Sequence, residues 1–165
     1  MTHPRSRCYP AAGPAARRLC GVLLLACALF GETAPGALAQ PGAPGLTITD
    51  AWLRLIMTAR PAAGYFTLRN DTDKTVSLIG ASSPDCGTLM LHRSVQQSGQ
   101  DRMEMVKAVP VPAHGKVVFA PGGYHLMCMS PAAMLRPGKT MQVTLSFADG
   151  STVTTGFPVR DATGH

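Results

Sequence analysis

Two histidines and two methionines stand at the intervals His92-x10-Met103-x21-His125-x-Met127. A thioether sulfur is soft and polarisable and favours Cu(I), an imidazole is borderline, and zinc sites draw on Cys, His and carboxylates, so these residue types select reduced copper over the harder divalent ions. The spacing suits such a site if the chain is extended. In Gly123-Tyr124-His125-Leu126-Met127-Cys128-Met129 the second pair lies two residues apart, and alternate side chains of a strand share a face. His92 closes the apolar run Thr88-Leu89-Met90-Leu91-His92 and Met103 opens Met103-Glu104-Met105-Val106. The polar stretch Gln96-Gln97-Ser98-Gly99-Gln100-Asp101 between them reads as a hairpin turn that brings His92 and Met103 together across two strands. Taken singly, each methionine is more often core filler and each histidine a satisfied or solvated residue. The constellation of four carries the reading.

The elements that must position these residues are strands. From Leu46 onward, short apolar runs recur between Gly, Pro, Asn and Asp signals, as in an antiparallel sandwich or barrel. Strands are expected near Leu46 to Leu55, Gly64 to Arg69, Thr75 to Ala81, Thr88 to Val95, Arg102 to Val109, Lys116 to Ala120, Tyr124 to Ser130, Thr140 to Phe147 and Thr152 to Val159. Asp149-Gly150, between two apolar runs, signals a hairpin, and Pro131 to Gly138 reads as a loop. No long amphipathic helix competes. The expected organisation is a flexible lead-in over residues 40–45, one all-β domain over 46–160 and a short tail over 161–165.

The first 39 residues have the make-up of an export leader: Arg5, Arg7, Arg17 and Arg18, then the apolar run Leu19 to Phe30, then Ala37-Leu38-Ala39 before Gln40. Cleavage after Ala39 is the expectation. A lipoprotein-type cleavage box at Leu24-Leu25-Ala26-Cys27 and a twin-arginine signal at Arg17-Arg18 are competing readings. The apolar run is too short to span a bilayer, so no stable membrane insertion is expected after cleavage. Removing the leader takes four of the 15 Lys and Arg and one of the 9 Asp and Glu, which lowers the formal charge from +6 to +3. No dense basic patch interleaved with aromatics remains, so nucleic acid is not an expected partner. Cys8, Cys20 and Cys27 leave with the leader, and Cys86 and Cys128 stay behind. An oxidising compartment favours a bridge between them over a reduced thiol pair, and strand parity turns Cys128 away from His125 and Met127.

The four spaced residues, with Pro121-Gly122-Gly123-Tyr124-His125-Leu126-Met127 around the second pair, resemble the signature of the periplasmic PCu(A)C copper chaperones. Further matches run through Asp50-Ala51-Trp52, Ala63-Gly64-Tyr65-Phe66-Thr67-Leu68-Arg69-Asn70, Arg136-Pro137-Gly138 and Leu145-Ser146-Phe147-Ala148-Asp149-Gly150, so the resemblance covers nearly all of residues 46–160. It implies a cupredoxin-like Greek-key β-sandwich or barrel in a single monomeric domain. It further implies a periplasmic, non-enzymatic role: binding one Cu(I) through His92, Met103, His125 and Met127 and passing it toward cytochrome c oxidase subunit II, with a Sco-type thiol protein as a further partner. The resemblance does not require Cys86 or Cys128.

Two other functional classes compete with a chaperone. A blue-copper electron carrier needs a Cys thiolate beside two His ligands, and the parity of Cys128 disfavours it. A periplasmic copper buffer would use the same ligands. The sequence contains no Gly-x-Ser-x-Gly and no Cys with an obvious base in a reactive context. Met90, Met105 and Met129 share the ligand face and are read as an apolar collar that could supply spare ligands, and Trp52 as core. His114 is expected to be solvated, His165 to end the tail, and Asp71 and Asp73 to stabilise a turn.

Overall fold

The computed structural model describes residues 43–97 and 99–164. The proposed leader with Cys8, Cys20 and Cys27, residues 40–42 of the lead-in, and His165 lie outside the described residues. Ten strands follow in chain order: β1 (Leu46–Arg54), β2 (Ala62–Asn70), β3 (Val76–Ser82), β4 (Cys86–Gln97), β5 (Gln100–Met105), β6 (Val109–Val111), β7 (Lys116–Phe119), β8 (Tyr124–Pro131), β9 (Thr140–Phe147) and β10 (Thr152–Arg160). They form one sheet in the order β5-β4-β8-β7-β2-β1-β10-β9-β3-β6, in which β8 also pairs directly with β2. The halves are joined by the parallel pairs Leu53 with Val159 and Arg54 with Arg160, and one core draws on both: Leu53, Phe66, Leu68 and Leu126 from the first, Leu78, Val143, Phe147 and Phe157 from the second. The sheet is therefore folded over on itself around its buried face, an all-β cupredoxin-like arrangement.

Alternation explains most of the strands. In β9, Met141, Val143, Leu145 and Phe147 are buried and the residues between them are not, the period-2 signature of a strand with one face on a core. The stretch from Arg102 to Val109, expected as one strand, is two. After Met105 the chain leaves the edge of β4, and Val109 to Val111 cross over to pair with Leu78 to Val76 of β3. Apolar Val106 bridges the two runs and hides the break from a reading by hydrophobicity, since its N–H still bonds the Leu91 carbonyl at 2.9 Å.

In β1 the inward positions change from even (Leu46, Ile48) to odd (Ala51, Leu53), because Asp50 and Ala51 together oppose one residue of β2. Asp50 adopts φ 53°, a left-handed conformation that Asp tolerates better than most residues, and the extra residue is a β-bulge. The bulge sets Trp52 opposite Tyr65 on the outer face, ring centroids 4.9 Å apart. Trp52 is thus half-buried outside the core, contrary to the expectation from its size and apolarity.

Asn70, wholly buried at the end of β2, pins the opposite pole. Its Nδ2 donates to the carbonyls of Lys74, Val111 and Pro112 at 2.8, 3.1 and 3.0 Å, and its Oδ1 accepts from the Thr72 amide and hydroxyl. Every polar atom of the amide is used, as a buried amide requires. Asp71 and Asp73 lie in the turn that Asn70 organises and pair with Arg69 and His114.

Cys86 and Cys128 form a disulfide across a sequence separation of 42. Cys128 is fully buried and sits opposite Leu89 on the core face of β8. The bridge ties the start of β4 to the end of β8, the two strands that carry both histidines. Replacing both cysteines by serine is expected to lower unfolding stability by at most about 4 kcal/mol on the loop-entropy relation. Denaturant unfolding and thiol titration of the unreduced protein check it; free thiols at both positions, or no change in stability, would remove the bridge from the account.

Candidate metal centre

The site is built on the outer face of β4, β8 and β5. In the β4–β8 ladder His92 lies directly opposite His125, and Met90 opposite Met127, while the core residues Leu91 and Leu126 alternate with them on the other face. Directly opposed residues in an antiparallel pair hold their Cβ atoms about 4.5–5.5 Å apart. The His92 and His125 rings accordingly lie 5.8 Å apart between centroids, tilted by 55°.

A turn fixes the orientation of His125. Ala120-Pro121-Gly122-Gly123 closes with the Gly123 amide donating to the Ala120 carbonyl at 3.0 Å, and Gly122 sits at φ 79°. Proline followed by a residue at positive φ defines a type II turn, where glycine is the residue that fits without strain. The turn aims the Gly123 carbonyl at His125 Nδ1, 3.1 Å away, and the same oxygen accepts the Ser94 amide at 3.1 Å. A carbonyl can only accept, so Nδ1 carries the proton and Nε2 holds the free lone pair. That Nε2 is buried with no hydrogen-bond partner, and so is Nδ1 of His92. Two unpartnered, inaccessible ring nitrogens side by side are costly in a finished core and are the arrangement that a bound ion satisfies.

The sulfurs arrive from two directions. Met127 is half-buried beside His125, whereas Met103, on the edge strand β5, is 64% exposed. Both line one cleft with His125, Tyr65, Arg54 and Arg60. The β5 register differs from the sequence expectation in one respect: the residue directly opposite His92 is Met105, and Met103 opposes Ser94. Met103 therefore lies diagonally across from His92, and Met105 lies directly opposite it. Among the described residues no three His, Cys, Asp or Glu side chains come together, so the converging donors are imidazoles and thioethers.

Burial disfavours protonation of His92. Burial first, and the neighbouring His125 second, hold the His92 pKa below the usual 6.5. A neutral His92 ring is the form that can coordinate. Tyr65, nearly inaccessible next to the cleft, has its phenol pKa raised by burial and partly offset by Arg54, whose guanidinium lies 5.7 Å from the ring centroid. Arg160 lies 5.2 Å over Trp52. Sequence reading identified the four candidates but not the Gly123 carbonyl or Arg54 and Arg60; for the carbonyl, Pro-Gly-Gly two residues before the histidine is the signal that could have found it.

Two measurements test this geometry. In an NMR titration of the metal-free protein, His92 should titrate below 6.5, and His125→Gln should move it upward only part of the way, because burial remains. Its contribution to stability is complete above the unfolded-state value and is lost as pH falls through the folded value. A His92 that titrates normally would contradict the burial. Gly122→Ala meets no atom within 4 Å, so its cost is the positive φ alone, about 1–2 kcal/mol. It should reduce the Nδ1-protonated share of His125 in nitrogen-15 spectra; an unchanged tautomer would show that the turn does not set the ring.

Comparison with known proteins agrees with this architecture. Residues 46–159 match the family described as "Putative lipoprotein LpqE-like". The chain is 34% identical over 133 residues to "Putative lipoprotein Lxx21020" of Leifsonia xyli, covering 79% of this chain and 80% of that one. It superimposes on the copper-bound PCuAC domain of PmoF2 with a TM-score of 0.60 at 25% identity, covering 71% of this chain and 93% of that domain. The solution structure of Cu(I)-loaded DR1885 from Deinococcus radiodurans gives 0.58 at 29% identity, covering 73% of this chain and 80% of that one. The chain belongs to the LpqE-like family, and the solved structures it resembles include PCuAC domains.

Proposed function

We propose that the protein is a Cu(I) metallochaperone that holds one ion between His92, His125, Met103 and Met127 and releases it by ligand exchange. The observation that carries the reading is the pair of buried, unpartnered ring nitrogens, one fixed as a free lone pair by the Gly123 carbonyl, beside two thioethers in an open cleft. Two of the structural neighbours hold copper, which supports the choice of ion. In ligand exchange an incoming donor adds to the ion as one resident donor leaves, with copper remaining Cu(I) and no electron transferred. Met103, the most exposed of the four, is the donor positioned to leave first.

The electron-carrier alternative loses its ligand, since the sulfur of Cys128 is in the disulfide and on the core face. The reading is non-enzymatic: the side chains gathered at the site are donors for an ion. The names of the family and of a relative as lipoproteins support export, and among the described residues no helix is long and apolar enough to cross a membrane. We place the protein in the periplasm as a monomer after cleavage at Ala39, with cytochrome c oxidase subunit II as client and a Sco-type thiol protein as a further partner.

Competition against a chromophoric Cu(I) chelator should give one ion per chain. Met103→Leu should lower affinity at least tenfold, about 1.4 kcal/mol, while a volume-conserving swap at so exposed a position leaves the fold intact. Mixing the Cu(I) form with the apo soluble domain of subunit II should move copper to that domain. Retention of copper in the presence of that acceptor would favour a buffer, and an intense blue Cu(II) band would favour electron transfer.

A further inference from the structure

We propose that Met105, across from His92 on the side away from His125, and Met90, two residues along β4 from His92, form a second and weaker Cu(I) site through which the ion passes to and from the primary one. This inference rests on the primary site being a copper site. Met105 is the residue directly opposite His92 on β5, and Met90 is two residues from His92 on the same face of β4. The two methionines are therefore diagonal neighbours across the strand pair, a separation of about 7–8 Å that long side chains span.

The chain provides a place for an ion there. Beyond His92, β5 ends, and the rest of β4 has β3 beside it instead; the gap is a cavity lined by Met90, Met105, Ile79, Ala81, Val106 and Lys107. It is separate from the cleft that Met103, His125 and Met127 line. Met105 is 65% exposed and Met90 half-buried, so one sulfur can meet an ion from solvent while the other leads inward. An exposed methionine gains little from the hydrophobic effect, and a row of thioethers next to an imidazole offers Cu(I) donors of the kind it prefers.

The site should be selective and weak. With no carboxylate in its lining and the Lys107 ammonium at its rim, it repels hard cations and retains even Cu(I) poorly. Weak binding suits transit, because an ion held by two thioethers moves on when His92 and a second imidazole become available. The exchange step forms a copper–nitrogen bond as a copper–sulfur bond breaks, the copper stays Cu(I), and no proton moves if His92 is already neutral.

The test is a Cu(I) titration of protein carrying carbon-13 methionine methyl groups, followed by NMR under anaerobic conditions. The first equivalent should shift Met103 and Met127, and ion beyond one equivalent should shift Met90 and Met105, with Met134, exposed elsewhere, unaffected. In the Met90→Leu, Met105→Leu double variant the first equivalent should bind unchanged while transfer to a thiol chelator slows several-fold. If Met103 and Met127 respond but Met90 and Met105 stay silent at excess copper, or the double variant transfers at the parent rate, the second site is overturned and the primary one stands. If Met103 and Met127 fail to respond, the primary reading itself falls.

Discussion

The hydrogen bond from His125 Nδ1 to the Gly123 carbonyl is the constraint on which the site depends. It chooses which nitrogen is available, and the choice is made by backbone geometry. Pro121 presets the first torsion of the turn, Gly122 accepts the positive φ, and Gly123 presents its oxygen to both the imidazole and the Ser94 amide. The Ser94 bond matters as much as the histidine bond, since it ties the turn preceding β8 to β4, the strand that carries His92. One oxygen therefore orients the His125 ring directly and ties β8 to the strand that carries His92.

That economy is possible because β4 and β8 divide their two faces so cleanly. Leu89, Leu91, Leu126 and Cys128 face the core, and Met90, His92, His125 and Met127 face outward, by alternation alone. None of the four candidate ligands belongs to the hydrophobic core cluster, and the disulfide ties the same strand pair together from the buried side. The price is the two buried nitrogens without hydrogen bonds, a destabilising feature that the fold tolerates next to an open cleft. A protein selected for stability alone would have given those atoms partners.

Much of this was legible in the sequence. The period-2 alternation in β9 and the two-residue interval from His125 to Met127 both follow from strand geometry, which is local. The spacing of the four candidates and the motifs around them also carried the resemblance. What escaped was non-local or hidden in the backbone. The shift of inward positions in β1 is visible as Leu46-x-Ile48 followed by Ala51-x-Leu53, but only pairing with β2 shows that the extra residue is a bulge and that Trp52 lands on Tyr65. The break after Met105 was masked by Val106, apolar and still bonded to Leu91. The exact partner of His92 depended on the hairpin register, where Gln97 pairs with Gln100 and Gly99 turns at φ 78°; that register sets Met105, not Met103, against the ring.

The hairpin register also orders the four donors by how firmly they are held. His125 is tied to a turn and lies on a strand paired on both sides, and His92 lies on β4 between β8 and β5. Met127 shares the central strand with His125. Met103 alone sits on β5, the last strand of the sheet, anchored by one neighbour and carrying its side chain into solvent. Edge strands open at lower free energy than central ones, because fewer hydrogen bonds and apolar contacts must be broken. In the site proposed above, three donors on central strands and one on an edge let a single bond loosen without loss of the frame, which is what the proposed stepwise exchange requires.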